Sequence, residues 1–344
     1  MKAVVFSEPQ GSLTVETVAD PVAPPDGVVV DVKANGVCRS DWHAWMGHDP
    51  TITYPHVPGH EMSGVVSEVG DDLLGWSIGD RVTVPFSCGC GACAECDEGN
   101  TNICENEYQP GFSAWGSFAE KVALPYAATN LVRIPDDIDF TTAASLGCRF
   151  MTAFHGLTSR VNVQPGEWVA VHGCGGVGLS VTQIAKALGA KVVAVDLDDE
   201  KLALAAELGA DVIVNGANES PVKAIRKATE GGAHVSVDAL GAEVTAGNSI
   251  RCLRRRGRHL QIGLVIGEGR NLPIPMSRVI SLELELYGGH GMPARRYPEL
   301  FELVLSGAVD LNAMVGRRIS LEEAPAEIAA MGDFSQRGLS VVEF

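Results

Sequence analysis

Apolar residues follow two different rhythms along this chain. Up to about residue 147 they come in short runs, such as Ala3 to Phe6 and Val28 to Val32, cut apart by Pro21, Pro24, Pro25 and Gly27. Short runs bounded by turn formers predict strands of a twisted or barrel-like unit. From about Gly147 the rhythm changes to brief apolar strands alternating with longer helical patterns, the signature of βαβ units. Six such strands are predicted, near Trp168 to His172, Lys191 to Asp196, Asp211 to Val214, His234 to Asp238, Arg258 to Ile262 and Leu282 to Tyr287. Helices are predicted over Gly176 to Leu188, Asp199 to Leu208, Val222 to Thr229 and Val244 to Leu253, with Gly189 and Gly209 where C-caps belong. The expected result is an α/β chain: a β-rich first part and a doubly wound parallel sheet. A further helix over Tyr297 to Leu305 and a strand over Leu339 to Phe344 would return the tail to the first part.

Length and composition sharpen this picture. A chain of 344 residues, 46% hydrophobic, is long enough for two domains with their own cores. No stretch approaches the roughly 20 apolar residues of a membrane helix, and the N-terminus MKAVVFSEPQ lacks a signal-like apolar run. Nine cysteines in such a chain favour metal ligation and buried thiols in a reducing compartment, read here as the cytoplasm. With 26 basic against 43 acidic residues, the net charge of -17 disfavours nucleic acid and anionic lipid as partners. The one basic cluster, Arg254 to Arg258, is too short a patch to argue otherwise.

Chemistry concentrates in three places. Cys90, Cys93, Cys96 and Cys104 form a C-x2-C-x2-C-x7-C run, a spacing that suits one tetrahedral zinc; a disulfide pair or an iron-sulfur cluster are the rival uses. Cys88 stands outside that spacing. After the first strand of the parallel sheet comes Gly173-x-Gly175-Gly176-Val177-Gly178 at the mouth of a helix, followed 18 residues beyond Gly178 by Asp196 at the end of the next strand. Glycines there allow a tight turn and close approach to a pyrophosphate, and the carboxylate suits ribose hydroxyls while repelling a 2'-phosphate, which favours NAD over NADP. The third set is dispersed: Cys38, His60 with Glu61, and Cys148. Two sulfurs and an imidazole leave one position open, as a catalytic zinc needs, although each residue alone reads equally as core.

Taken together, Cys38-Arg39-Ser40-Asp41 with His43, Gly59-His60-Glu61, the four-cysteine run, Gly147-Cys148 with Thr152, the Gly173 to Gly178 turn and Asp196 resemble the zinc-containing medium-chain alcohol dehydrogenases over the whole length. The resemblance implies a GroES-like catalytic domain over 1–148 and 291–344, a Rossmann NAD-binding domain over 149–290, and a homodimer or homotetramer. It implies two zinc ions per chain: a catalytic one on Cys38, His60 and Cys148, with Glu61 as an occasional or nearby ligand, and a structural one on Cys90, Cys93, Cys96 and Cys104. Asp41 would orient His60, and Ser40 would pass the alcohol proton through the nicotinamide ribose to His43. Ser40 also suits a helix N-cap, a role compatible with the relay. Arg39, Thr152, Lys201, Leu264, Val265 and Arg337 would join the cofactor contacts. Two departures stand out: Arg149 follows Cys148 where many members carry Gly, and the C-terminal Gly-Arg becomes Arg337-Gly338.

Phe86, Trp45, Asp49 and Trp115 are the pocket candidates, each also compatible with plain packing. Aromatic walls favour apolar alcohols. The expected reaction is reversible oxidation of primary or secondary alcohols by NAD, aromatic or medium-chain ones included, with polyol oxidation as runner-up. An NAD-binding redox sensor or scaffold without turnover is the non-enzymatic alternative.

Overall fold

A computed structural model describes residues 1–266, 271–334 and 336–344. Two compact units divide the chain: Met1–Met151 with Gly291–Leu305 and Val315–Phe344, and Thr152–His290 with Ser306–Met314. The helix Cys148–His155 crosses the division, and Ser306–Met314 joins the second unit, so the boundaries differ from the sequence expectation of 148/149 and 291 by these segments.

The first unit is built on Val28–Val37, a ten-residue strand. It pairs antiparallel with Met62–Val69, Lys121–Leu124 and Leu339–Glu343, within a seven-stranded sheet. Valine-rich and buried along most of its length, the strand carries few of the polar alternations of a sheet wetted on one face. Its register shifts at Val29/Val30 and Val32/Ala34, bulges that bend the strand and deliver its C-terminal end to Cys38. Val30, Val32, Met62, Val66, Val82, Val122 and Leu124 close the core beneath it. Burying each such side chain is worth about 1.5–3 kcal/mol.

The second unit is a six-stranded parallel sheet, ordered Val212–Asn215, Lys191–Asp196, Trp168–His172, Ala233–Asp238, Leu253–Gln261 and Glu285–Gly288. Ala170, Val193, Val195, Val214, Ile225, Ile250 and Leu253 form its core, and Gly189 and Gly209 end their helices at φ 77 and 107. Two elements depart from the sequence reading. The fifth strand starts at Leu253 rather than Arg258, because Leu253 pairs with Ala233 of one neighbouring strand; the register then shifts, and pairing resumes at Arg258, which lies opposite Val235 on one side and Glu285 on the other. Met276–Leu282 is a helix, which moves the last strand to Glu285–Gly288.

Candidate active site and metal centres

Cys38 ends the long central strand and is the N-cap of the helix Arg39–Trp45. Ser40 is therefore inside the helix, and the cap role considered for it falls to Cys38 and Asp41. The Cys38 backbone N–H donates to Asp41 Oδ2 at 2.9 Å, while Asp41 Oδ1 accepts from the Gly59 N–H at 3.0 Å and lies 2.9 Å from His60 Nδ1. Asp41 and His60 are both fully buried. A carboxylate there holds the proton on Nδ1 and turns Nε2 toward the sulfurs.

Cys38, His60, Glu61 and Cys148 offer ligand atoms that all lie within 4.8 Å of one another. Ser40 Oγ sits 2.9 Å from Cys38 Sγ and 3.2 Å from His60 Nε2, at the mouth of the same cluster. Hydrogen bonding from Cys148, with His60 and Arg149 nearby, holds the Cys38 thiol well below its usual range, while Cys148 is pushed up by the same bond and by burial. Burial works against a charged His60, but Asp41 outweighs it and raises the imidazole. Two sulfurs, an imidazole nitrogen and a carboxylate at this spacing are a donor set that fits zinc.

Glu61 is occupied by something the sequence did not foretell. Arg149 donates to Glu61 Oε1 through its backbone N–H at 3.2 Å and Nε at 3.0 Å, its Nη2 pairs with Oε2, and its Nη1 reaches the Val37 carbonyl at 2.9 Å. Burial pushes the Glu61 carboxyl up to about 7 against the pull of this guanidinium. A Cβ on Gly36 would come within 2.2 Å of Glu61 Oε2, so only glycine fits against the pair.

Around His60 lie Phe112 and Phe86, with ring centroids 5.1 and 6.1 Å from the imidazole. Phe112 was missed in the sequence because nothing near it in the chain carries a ligand. The other three pocket candidates have other duties: Trp45 donates to the Gly11 carbonyl, Trp115 to the Pro55 carbonyl, and Asp49 caps the Thr51 backbone. His43 Nδ1 pairs with His48 Nδ1 at 2.9 Å, and burial, with Arg39 and His48, pulls His43 down to about 4. Arg39 is stacked over Phe334 and Trp42 and donates to the Met331 carbonyl at 2.5 Å. Arg337 is exposed in the segment before the last strand.

The four-cysteine run folds around the short helix Ala94–Asp97 and brings Cys90, Cys93, Cys96 and Cys104 within 4.8 Å of one another. All nine cysteines are free thiols, so no disulfide competes. Backbone N–H groups of Cys90 and Asn106 point at Cys104 Sγ, each at 3.2 Å, and donors from Cys96 and Glu105 pull Cys93 down to about 6. Burial nevertheless pushes Cys104 up to about 12, against these amides; amides aimed at sulfur work toward the thiolate form that a closed tetrahedral metal site requires. Cys88 is buried apart, donating to the Pro85 carbonyl.

In the second unit, Gly173 adopts φ 96, and a Cβ on Gly178 would meet the Gly173 carbonyl at 1.8 Å, so this turn closes only with glycine at both positions. Gly175 caps the twelve-residue helix Gly176–Ala187, and a Cβ there would meet nothing within 4 Å. Open space before a helix N-terminus led by Gly176 and Val177 fits a pyrophosphate. Asp196 has a second duty: its Oδ2 accepts from the Cys174 N–H at 2.7 Å and its Oδ1 from Leu197 at 2.8 Å, tying the turn to the next strand. Thr152 Oγ1 is buried without a hydrogen-bond partner among the described residues, which fits a group awaiting a ligand. Lys201 stands in the first turn of Asp199–Glu207, and Leu264 and Val265 follow the fifth strand, with Leu264 half exposed.

Comparison with known proteins gives a consistent result. The alcohol dehydrogenase GroES-like domain matches residues 24–136 and the zinc-binding dehydrogenase family residues 176–306. An alcohol dehydrogenase of Geobacillus stearothermophilus is 36% identical over 334 residues, covering 96% of this chain and 90% of that one. A crystal structure of an NAD-dependent alcohol dehydrogenase superposes with a TM-score of 0.91 at 30% identity, covering all of both chains. The alcohol dehydrogenase of the hyperthermophilic archaeon Aeropyrum pernix superposes with a TM-score of 0.90 at 30% identity, again over both whole chains.

Proposed function

Because this chain belongs to the zinc-binding alcohol dehydrogenases, a family of oxidoreductases, we propose that it transfers hydride reversibly between a primary or secondary alcohol and NAD, giving an aldehyde or ketone. The observation that carries the proposal is the buried convergence of Cys38, His60 and Cys148, with Asp41 fixing the tautomer that turns His60 Nε2 inward. In this reading those three residues hold a catalytic zinc and Cys90, Cys93, Cys96 and Cys104 a structural one, two per chain. Zinc held there supplies Lewis acidity that lowers the pKa of an alcohol hydroxyl. Bound NAD supplies the hydride acceptor.

The chain's own groups handle protons and orientation. Ser40 Oγ is in hydrogen-bond reach of both ligand atoms and is the group best set to accept the hydroxyl proton. His43, kept neutral near pH 7 and bonded to His48, can take a proton and hand it outward; His48 extends the expected relay by one member. Arg149 keeps Glu61 engaged, which leaves the fourth position to substrate. Asp196 receives the adenosine ribose, at the expense of one of the amide bonds it makes, and Thr152 the nicotinamide edge; Lys201, Leu264 and Val265 complete that contact. Arg39, already pinned by Met331, holds the helix that carries Ser40 rather than reaching for phosphate. Residues 1–148 with 291–344 serve as the catalytic domain and 149–290 as the NAD-binding domain.

Phe86 and Phe112 beside His60 favour apolar alcohols, aromatic or medium-chain, over polyols. Among the described residues the strand Glu285–Gly288 ends its sheet with one edge unpaired, and the exposed Ile280 and Leu286 nearby support a homo-oligomer joined there. No helix of the described residues is long and apolar enough to cross a membrane, and nine free thiols suit the cytoplasm. A panel of alcohols and carbonyls followed by NADH absorbance tests the function, with substituted benzyl and linear alcohols expected to outrun polyols. Absence of turnover across the panel with zinc-loaded protein would sink it.

A further inference from the structure

One group of charges takes no part in the proposed reaction. In a chain of net charge -17, Arg226, Arg254, Arg255 and Arg278 line one cavity of about 300 Å³, completed by Gly231 and Leu282, with no carboxylate in the wall. The cavity opens at the start of the strand Leu253–Gln261, whose Leu253 pairs with Ala233. All six strands run parallel, so this is the end of the sheet opposite the Gly173 to Gly178 turn, on the order of 15 Å away along the strands.

Its inner wall is built rather than loose. Arg226 Nη1 and Arg278 Nη2 donate to the same acceptor, the Leu253 carbonyl, at 3.2 and 3.3 Å. Two guanidiniums are thereby pinned side by side, and like charges at such spacing repel. Arg278 Nε is buried with no hydrogen-bond partner among the described residues. A buried donor without an acceptor costs free energy until something supplies one. Burial and the neighbouring Arg226 and Arg251 disfavour the Arg278 charge, which the cavity would reverse on receiving an anion. Outside this pair, Arg254 Nη1 faces His234 Nε2 at 2.6 Å while His234 Nδ1 accepts the Trp168 N–H, so two donors oppose each other. Nearby arginines that do have carboxylates, Arg256 with Glu283 and Arg258 with Glu167, point away to their own partners.

We propose that this cavity is a binding site for a small phosphoryl-bearing anion, separate from the dinucleotide site and independent of the reading given above. Guanidinium forks match phosphate oxygens in geometry and charge. A volume of about 300 Å³ takes a free phosphorylated metabolite and not an extended chain.

The test uses the intact chain with its dinucleotide site saturated by NADH, titrated calorimetrically with inorganic phosphate at constant ionic strength. One saturable site per chain is expected. Arg226→Gln with Arg278→Gln should weaken phosphate binding by roughly ten-fold or more, the loss of one charge-assisted bond or more. Arg254→Gln with Arg255→Gln, both exposed, leaves the Leu253 carbonyl bonds intact and should weaken binding by about three-fold or more on the same ground, so that failure of the inner variant to fold leaves the test standing. Turnover and NADH affinity should not change in either. Heats no larger than those from added chloride, phosphate affinity unaffected by both double variants, or binding to phosphatidate vesicles without binding of free phosphate would each overturn the proposal.

Discussion

Replacing Arg149 by methionine isolates the buried ion pair beside the zinc ligands. Glu61 and Arg149 are 1% and 6% exposed, and the guanidinium and its backbone amide give the carboxylate three contacts while Nη1 serves the Val37 carbonyl. Methionine keeps the apolar stem but leaves the carboxylate with the backbone amide alone and the carbonyl without its side-chain donor. Removing one partner of a buried pair costs about 3–5 kcal/mol; here Glu61, already pushed up to about 7 and then deprived of the group that pulls it down, takes up a proton, while the Val37 carbonyl loses its donor. The expectation for Arg149→Met is therefore a loss of that size, read as a urea midpoint lower by roughly 1 to 2 M, with tryptophan fluorescence as the probe and zinc in excess. Glu61→Gln removes the carboxyl that Arg149 no longer meets, so the double variant should be less destabilised than the two singles summed, by about 2 kcal/mol or more. A cost below about 1 kcal/mol for Arg149→Met, or additivity within about 0.5 kcal/mol, would refute the view that the pair is a matched, desolvated unit.

Metal analysis should find two zinc ions per chain, and Cys104→Ser should lower this to one while the turnover of surviving protein persists; loss of both ions would mean the two sites are not separate. Asp196→Gly should raise the KM for NAD by about ten-fold or more and relax discrimination against NADP, since it removes both the ribose acceptor and the anchor on the Cys174 amide; an unchanged cofactor preference would reject the ribose contact. His172 is fully buried and burial pulls it down to about 3 from the usual 6.5, so the folded state is favoured by its neutral form above pH 6.5 and loses that stability as pH falls toward 3. At pH 5 the loss is about 2 kcal/mol, and His172→Leu should flatten the fall in urea midpoint between pH 7 and 5 by that amount; parallel slopes would show that His172 does not titrate in this window.

Some of the site was legible in the sequence because its parts are close in the chain. Cys90 to Cys104 span one loop, so spacing alone restricts where four sulfurs can meet. The turn from Gly173 to Gly178 is likewise local, and its clash-free closure depends on backbone that only glycine permits. Cys38, His60 and Cys148 were legible only through family resemblance, since no local rule links residues so far apart. The pairing of Arg149 with Glu61 and the placement of Phe112 against His60 could not be read at all, because each depends on how separate strands and loops pack. Arg254 to Arg258 misled the strand boundary for a related reason: charges argue against a buried strand, but Leu253 pairs with Ala233 ahead of an irregularity that carries the exposed arginines, and regular pairing resumes at Arg258.

The sequence by itself determined the alternation of strand and helix in the second unit, the β-rich character of the first, the glycine turn and the four-cysteine loop. These follow from periodicity and spacing, which act over a turn or a strand length and need no distant partner. Tertiary structure alone decided which guanidinium holds Glu61, that Asp196 ties down the glycine turn, and that four arginines share one wall. Those outcomes rest on desolvated polar groups finding partners across the fold, and in a buried setting the partner that is geometrically available prevails over any local preference.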